Sequence, residues 1–209
     1  SASPERFLKK RGNKLISQPI KGTMRRSDNQ KEDMQLANEL LTSDKERSEN
    51  IMIVDLVRND LAKIAKKSTV TVDELCGIYS YQTVHQMISS VSAQLNDKFH
   101  PVDAVKSCFP MGSMTGAPKV KAMQLIEEFE HTKRGIYSGA VGYFSPNGDF
   151  DFNVIIRTLL YSEINNYLSL MAGSAITNLS IPEKEYEECL LKANSFFELI
   201  GKSTDITNA

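Results

Sequence analysis

The sequence predicts an α+β fold of irregular order, with antiparallel β-sheets flanked by helices. Three observations carry this: helical periodicity early in the chain, β-branched and aromatic alternation after it, and the pair Asn147-Gly148 between two strand-like runs. Helices, strands and helices follow one another without a regular β-α-β alternation, which favours a mixed architecture over a doubly wound one.

The elements follow in order. Residues 1–10 move at once into strand-like sequence. Apolar residues at helical spacing fill two runs, Met34 to Leu41 and Ile51 to Ile64, and Thr42-Ser43-Asp44 between them can cap the second helix. Short alternations from Thr69 to Leu95 favour strands. Pro101 to Phe109 reads as a short helix, and Pro118 to Phe129 as a longer one with its proline at an early position where the missing amide costs nothing. Strand-like runs then cover Tyr137 to Phe144, Asp151 to Leu160 and Tyr167 to Thr177, the first two joined by the hairpin signal Asn147-Gly148. An amphipathic helix from Pro182 to Ile200 closes the pattern, with Gly201 where a C-cap belongs. No composition shift marks a linker, so residues 1–209 are expected to form one domain.

The chain has 209 residues, 41% of them apolar, enough to bury a core. Its 25 basic and 26 acidic residues nearly cancel, which argues against a nucleic-acid partner. Cys76, Cys108 and Cys189 lack metal or redox spacing and are expected to be reduced thiols of a cytoplasmic protein. No apolar run approaches the roughly 20 residues a membrane span needs, so no membrane partner is expected.

Several residue groups could carry chemistry. Glu46 and Glu49, and likewise Glu185 and Glu188, are three apart on expected helices, so each pair presents two carboxylates on one face. Facing each other, the pairs would suit a hard cation such as magnesium; alternatively they complement helix dipoles. The run FPMGSMTGAPK, Phe109 to Lys119, is glycine-rich and opens a helix, which can present amides to a carboxylate or phosphate, or serve as a structural turn. It lacks the Gly-Lys-Ser/Thr order of a phosphate-binding loop. Arg157, in an otherwise apolar strand-like run, needs a partner if buried, either a substrate carboxylate or a structural ion pair. Lys192 stands four residues beyond Glu188. His85 suits a packing role. Lys21, within QPIKGTMR, would by itself be read as a solvated charge.

Taken together, SPERF, PIKGT, ENIMIVDLVRNDL, FPMGSMTGAPKVKAM, YSGAVGY, IRTL and EYEECLLKA resemble, in this order, the chorismate-utilizing enzymes. That family includes component I of anthranilate and aminodeoxychorismate synthases, isochorismate synthase and salicylate synthase. The resemblance spans Ser3 to Lys202 and implies the chorismate-binding fold. It also implies a magnesium cofactor held by Glu49 and Glu188 with Glu46 and Glu185, and Arg157 on a substrate carboxylate with Tyr137 beside it. Lys192, the backbone around Gly173, and Thr115, Gly116 and Ala117 of the signature loop would complete the pocket, and Glu5 is the candidate general acid.

Within the family, PIKGT is similar to the aminodeoxychorismate branch, where anthranilate-forming relatives have alanine. There Lys21 would add to the chorismate ring before ammonia displaces it, giving 4-amino-4-deoxychorismate on the route to p-aminobenzoate and folate. The ammonia is expected from a glutamine amidotransferase partner. Lysine becomes a nucleophile once a closed site lowers its pKa. Alternatives are the anthranilate reaction and a fragment that binds chorismate without turnover. The family pattern has proline where Arg25 stands and histidine where Gln86 stands. Its members are about twice this long, so the chain is expected to be a C-terminal portion lacking the N-terminal part of the fold.

Overall fold

Two neighbouring caps set the first helical layer in the computed structural model, which describes residues 1–178 and 180–201. Asn29 accepts from the amides of Lys31 and Glu32 to start α1 (Gln30–Thr42). Ser43 ends α1 and starts α2 (Asp44–Ala62), its hydroxyl accepting from the Glu46 amide. The early helical run is therefore two helices that share one turn residue, because a single extended residue satisfies both ends.

Among the described residues, nine strands accompany them: β1 (Arg6–Arg11), β2 (Lys14–Gln18), β3 (Ile20–Arg25), β4 (Thr71–Ser80), β5 (Val84–Gln94), β6 (Ala140–Phe144), β7 (Phe150–Val154), β8 (Leu159–Ser162) and β9 (Tyr167–Leu170). Further helices are α3 (Pro101–Cys108), α4 (Lys119–Phe129) and α5 (Pro182–Leu199). All pairings among these strands are antiparallel. Strand β5 takes β4 along one edge and β2 then β3 along the other, and β2 continues through β1 and β7 to β6. Pro19 separates β2 from β3, as expected of a residue that cannot donate to a ladder. Its carbonyl still accepts from the Ser89 amide at 3.2 Å.

The chain divides into two compact units, one of residues 4–133 and 138–154 and one of residues 1–3, 134–137 and 155–201. The larger unit holds the seven-stranded sheet. Its core joins Phe7, Leu8 and Leu15 of the first strands to Met87 and Val91 of β5 and to Ile53, Val54 and Leu61 of α2. Here α2 packs against β3, β4 and β5, and α3 against α2. The smaller unit holds the β8–β9 hairpin and α5.

The expected hairpin at Asn147-Gly148 is present between β6 and β7. Gly148 has φ +79°, and the Ser145 amide donates to Asp149 across the turn at 2.8 Å. Other expectations need correction. Tyr137 to Phe144 is strand only from Ala140, after Ser138 takes φ +68°. The run Asp151 to Leu160 is two strands, interrupted at Arg157 with φ +50°. Past Leu170 the third run leaves strand geometry. Pro118 is the cap residue of α4, one place ahead of the first helical turn. Gly201 follows α5 with φ +69°. Among the described residues, no helix is long and apolar enough to cross a membrane.

Candidate active site

Lys21 sits where β3 is irregular. The register with β5 shifts between Ile20 and Thr23, so Lys21 and Gly22 form a bulge that turns the strand locally. Gly22 holds φ +87°, and a Cβ there would lie 2.9 Å from Leu40 Cδ1 and 3.1 Å from Glu46 Oε2. Glycine is required twice, for its backbone angle and for the close approach of Leu40 from α1 and Glu46 from α2. The bulge thus places Lys21, half-buried, beside the helix that carries Glu46 and Glu49.

Glu5 precedes β1 and is 6% exposed. Burial pushes its carboxyl up from the ordinary 4.5 to about 7, because the charged form loses its hydration. The Ser113 hydroxyl, the Lys21 charge and the Ile20 amide pull the value down only in part. At neutral pH the group therefore populates both forms, as a general acid requires. The influence of Lys21 on Glu5 shows that the two candidate catalytic groups are electrostatic neighbours.

The glycine-rich run lines the same small cavity as Glu5, through Met111, Gly112 and Ser113. Gly112 to Met114 make one 3₁₀ turn against α2, where a Cβ on Gly112 would press on Leu56 at 3.2 Å. Thr115 turns its hydroxyl back to the Met111 carbonyl at 2.9 Å, and Gly116 and Ala117 lead into α4. No side chain caps α4 and its first turn holds no acidic residue, which suits an anion. Lys119 is committed elsewhere: its ammonium pairs with the buried Asp60 of α2 and reaches the Pro110 carbonyl at 2.6 Å. That tie between loop and helix was not read from the sequence.

Glu49 is 9% exposed on the α2 face shared with Ile53, and its Oε1 is buried with no hydrogen-bond partner among the described residues. An orphaned carboxylate oxygen is costly in a native fold. A cation would satisfy it, so Glu49 with Glu46 fits magnesium by donor chemistry. Among the described residues, no three His, Cys, Asp or Glu side chains stand together as a ready-made metal set.

The smaller unit gathers the other candidates. Lys192 donates to the Gly173 carbonyl at 3.0 Å and pairs with Glu188 at 2.6 Å. The Tyr137 hydroxyl lies 2.9 Å from where a Cβ on residue 173 would stand, so a larger residue there would displace that hydroxyl. Ser174, which drew no attention in the sequence, donates to the buried Glu185. Arg157 is half-buried with φ +50° and lies outside any strand. In the larger unit, His85 is buried between Ser80, 2.8 Å from Nδ1, and Asp33, 3.0 Å from Nε2, a structural placement. Gln86 is buried beside it on β5, opposite Thr23 of β3.

The family model described as chorismate binding enzyme matches residues 1–198. An aminodeoxychorismate synthase, chloroplastic, from Arabidopsis thaliana is 45% identical over 93% of this chain and 21% of its own length. Aminodeoxychorismate synthase component 1 of Bacillus subtilis is 42% identical over 91% of this chain and 40% of its own. The chain thus spans well under half the length of these relatives. The crystal structure of anthranilate synthase component I from Streptococcus pneumoniae superposes with a TM-score of 0.83 at 36% identity, over 93% of this chain and 42% of that one. On the family match and the shared fold, this chain belongs to the chorismate binding enzymes.

Proposed function

We propose that this chain carries the chemistry of aminodeoxychorismate synthase component I, by which chorismate and ammonia become 4-amino-4-deoxychorismate and water. The observation that supports this best is the neighbourhood of Lys21, set in a glycine bulge, and Glu5, a buried carboxyl with its pKa at about 7.

Once its ammonium has given a proton to solvent, the Lys21 amine forms a C–N bond to the chorismate ring while the bond to the 4-hydroxyl breaks. Glu5 gives its proton to that hydroxyl, which leaves as water, and becomes a carboxylate. Ammonia then forms its own C–N bond, and Lys21 departs with the electron pair of the first. The new amine sheds a proton to Glu5, so the acid is restored and the balance closes. Splitting one substitution into two easier ones is the advantage of a covalent route.

Glu49 with Glu46, and separately Glu188 with Glu185, are the carboxylate pairs that would hold magnesium, which when bound would supply Lewis-acid stabilisation to the ring carboxylate. Arg157 and Lys192 supply positive charge for the substrate's carboxylates, and the amides from Thr115 to Ala117 supply neutral donors. Ammonia would come from a glutamine amidotransferase partner. Free thiols at Cys76, Cys108 and Cys189 suit a reducing compartment such as the cytoplasm.

Mass spectrometry of the protein quenched during turnover tests the nucleophile. A chorismate-derived adduct on the peptide holding Lys21, absent from Lys21→Ala, is the expected result. An adduct that survives in Lys21→Ala removes the residue from the mechanism.

A further inference from the structure

Behind Glu5 lies a small cavity of about 20 Å³ whose lining includes Glu5, Ser17, Asp60, Cys108 and Ser113. A space of this size admits one water, provided polar partners line it. Most of the polar groups here are already engaged. Ser17 donates to the Phe7 carbonyl at 2.7 Å, and Asp60 is held by Lys63 and Lys119. Arg6, which also reaches the lining, pairs with Asp151 at 3.0 Å. Burial pushes the Cys108 thiol up to about 12, so it stays neutral.

The Ser113 hydroxyl is different. Its oxygen is buried and has no hydrogen-bond partner of ordinary geometry among the described residues, although it stands close enough to Glu5 to lower that carboxyl's pKa. A buried hydroxyl without a partner is destabilising unless a water or a changing charge state satisfies it.

We infer that Ser113 and one water held in this cavity form a positioning site for Glu5, donating hydrogen bonds to the carboxylate left after each proton transfer. The inference rests on the role proposed for Glu5 and adds a group that offsets part of the effect of its burial. Ser113 makes no bond to substrate. It acts on the anionic form of Glu5, for which a serine hydroxyl is a donor and an alanine methyl is not. The Lys21 charge favours the same form. Placing the donor on the glycine-rich run couples the position of that loop to the acidity of Glu5.

The test needs no turnover. With glutamate labelled at the side-chain carbon, NMR follows the titration of Glu5 in the wild-type chain, Ser113→Ala and Ser113→Thr. Loss of a hydrogen bond to a charged group is expected to move the Glu5 titration up by about one unit in Ser113→Ala. Ser113→Thr, which keeps the hydroxyl, should stay close to wild type, and water-to-amide exchange peaks near residue 113 should report the bound water. Titration at the same pH in wild type and Ser113→Ala overturns the inference, as does a Ser113→Thr chain that shifts like alanine. Should Ser113→Ala fail to fold, the exchange peaks and Ser113→Thr still decide it. If Glu5 responds to Ser113 while chorismate is not aminated, the functional reading fails alone. If amination occurs while Glu5 ignores Ser113, this inference fails alone.

Discussion

Glu5→Gln keeps the size of a buried side chain and removes its titration, so it isolates the energetic consequence of burying an acid. The folded chain holds the Glu5 proton up to about pH 7, whereas the ordinary value is 4.5. Between those values the folded state binds more protons than the unfolded one, so stability falls as pH rises. The contribution is fully present below the unfolded pKa and lost as pH climbs through the folded one. From the two values, stability should drop by about 2.5 kcal/mol between pH 5 and pH 8 on account of this group. Urea denaturation of both chains at those two pH values measures it. The wild-type difference should exceed that of Glu5→Gln by about this amount, since every other titrating group is common to both. Equal pH dependence in the two chains would refute the placement of Glu5 as a buried, protonated acid.

Further outcomes follow from the same geometry. Gly22→Ala should cost about 1–3 kcal/mol in chemical denaturation, because the new Cβ meets Leu40 and Glu46 at a backbone angle that L-residues avoid. Glu49→Gln should weaken magnesium binding about tenfold or more in calorimetry, and an unchanged titration would take Glu49 off the ligand list. Glu188→Gln should lower both magnesium dependence and amination rate, and a wild-type magnesium profile would contradict that. Breaking the buried pair with Lys119→Met should destabilise the larger unit by about 3 kcal/mol by leaving Asp60 with the more exposed Lys63 alone, checked by thermal unfolding.

How much of this was legible in the sequence depended on how local the cause was. The Asn147-Gly148 hairpin and a cap for the second helix within Thr42-Ser43-Asp44 were readable, because a few adjacent residues determine them; that Ser43 also ends α1 was not. The break at Arg157 was not, since the apolar run from Val154 to Leu160 is continuous and periodicity carries no information about φ. For the same reason the division near residue 155 left no trace in composition. Both carboxylate pairs could be read from their spacing. The orphaned oxygen on Glu49 could not, because it depends on what the sheet places over α2. Gly22 offered a usable signal, a glycine inside a strand, which commonly marks a bulge or a close approach. Ser113 and Asp60 offered none; their meaning arises from neighbours distant in sequence.

The most direct test is to incubate the purified chain with chorismate, ammonium and magnesium and to identify the product by chromatography and mass against 4-amino and 2-amino standards. The account predicts 4-amino-4-deoxychorismate, formed by the wild-type chain and not by Lys21→Ala. Formation of the 2-amino product, or no turnover where a full-length relative is active in the same buffer, would contradict it.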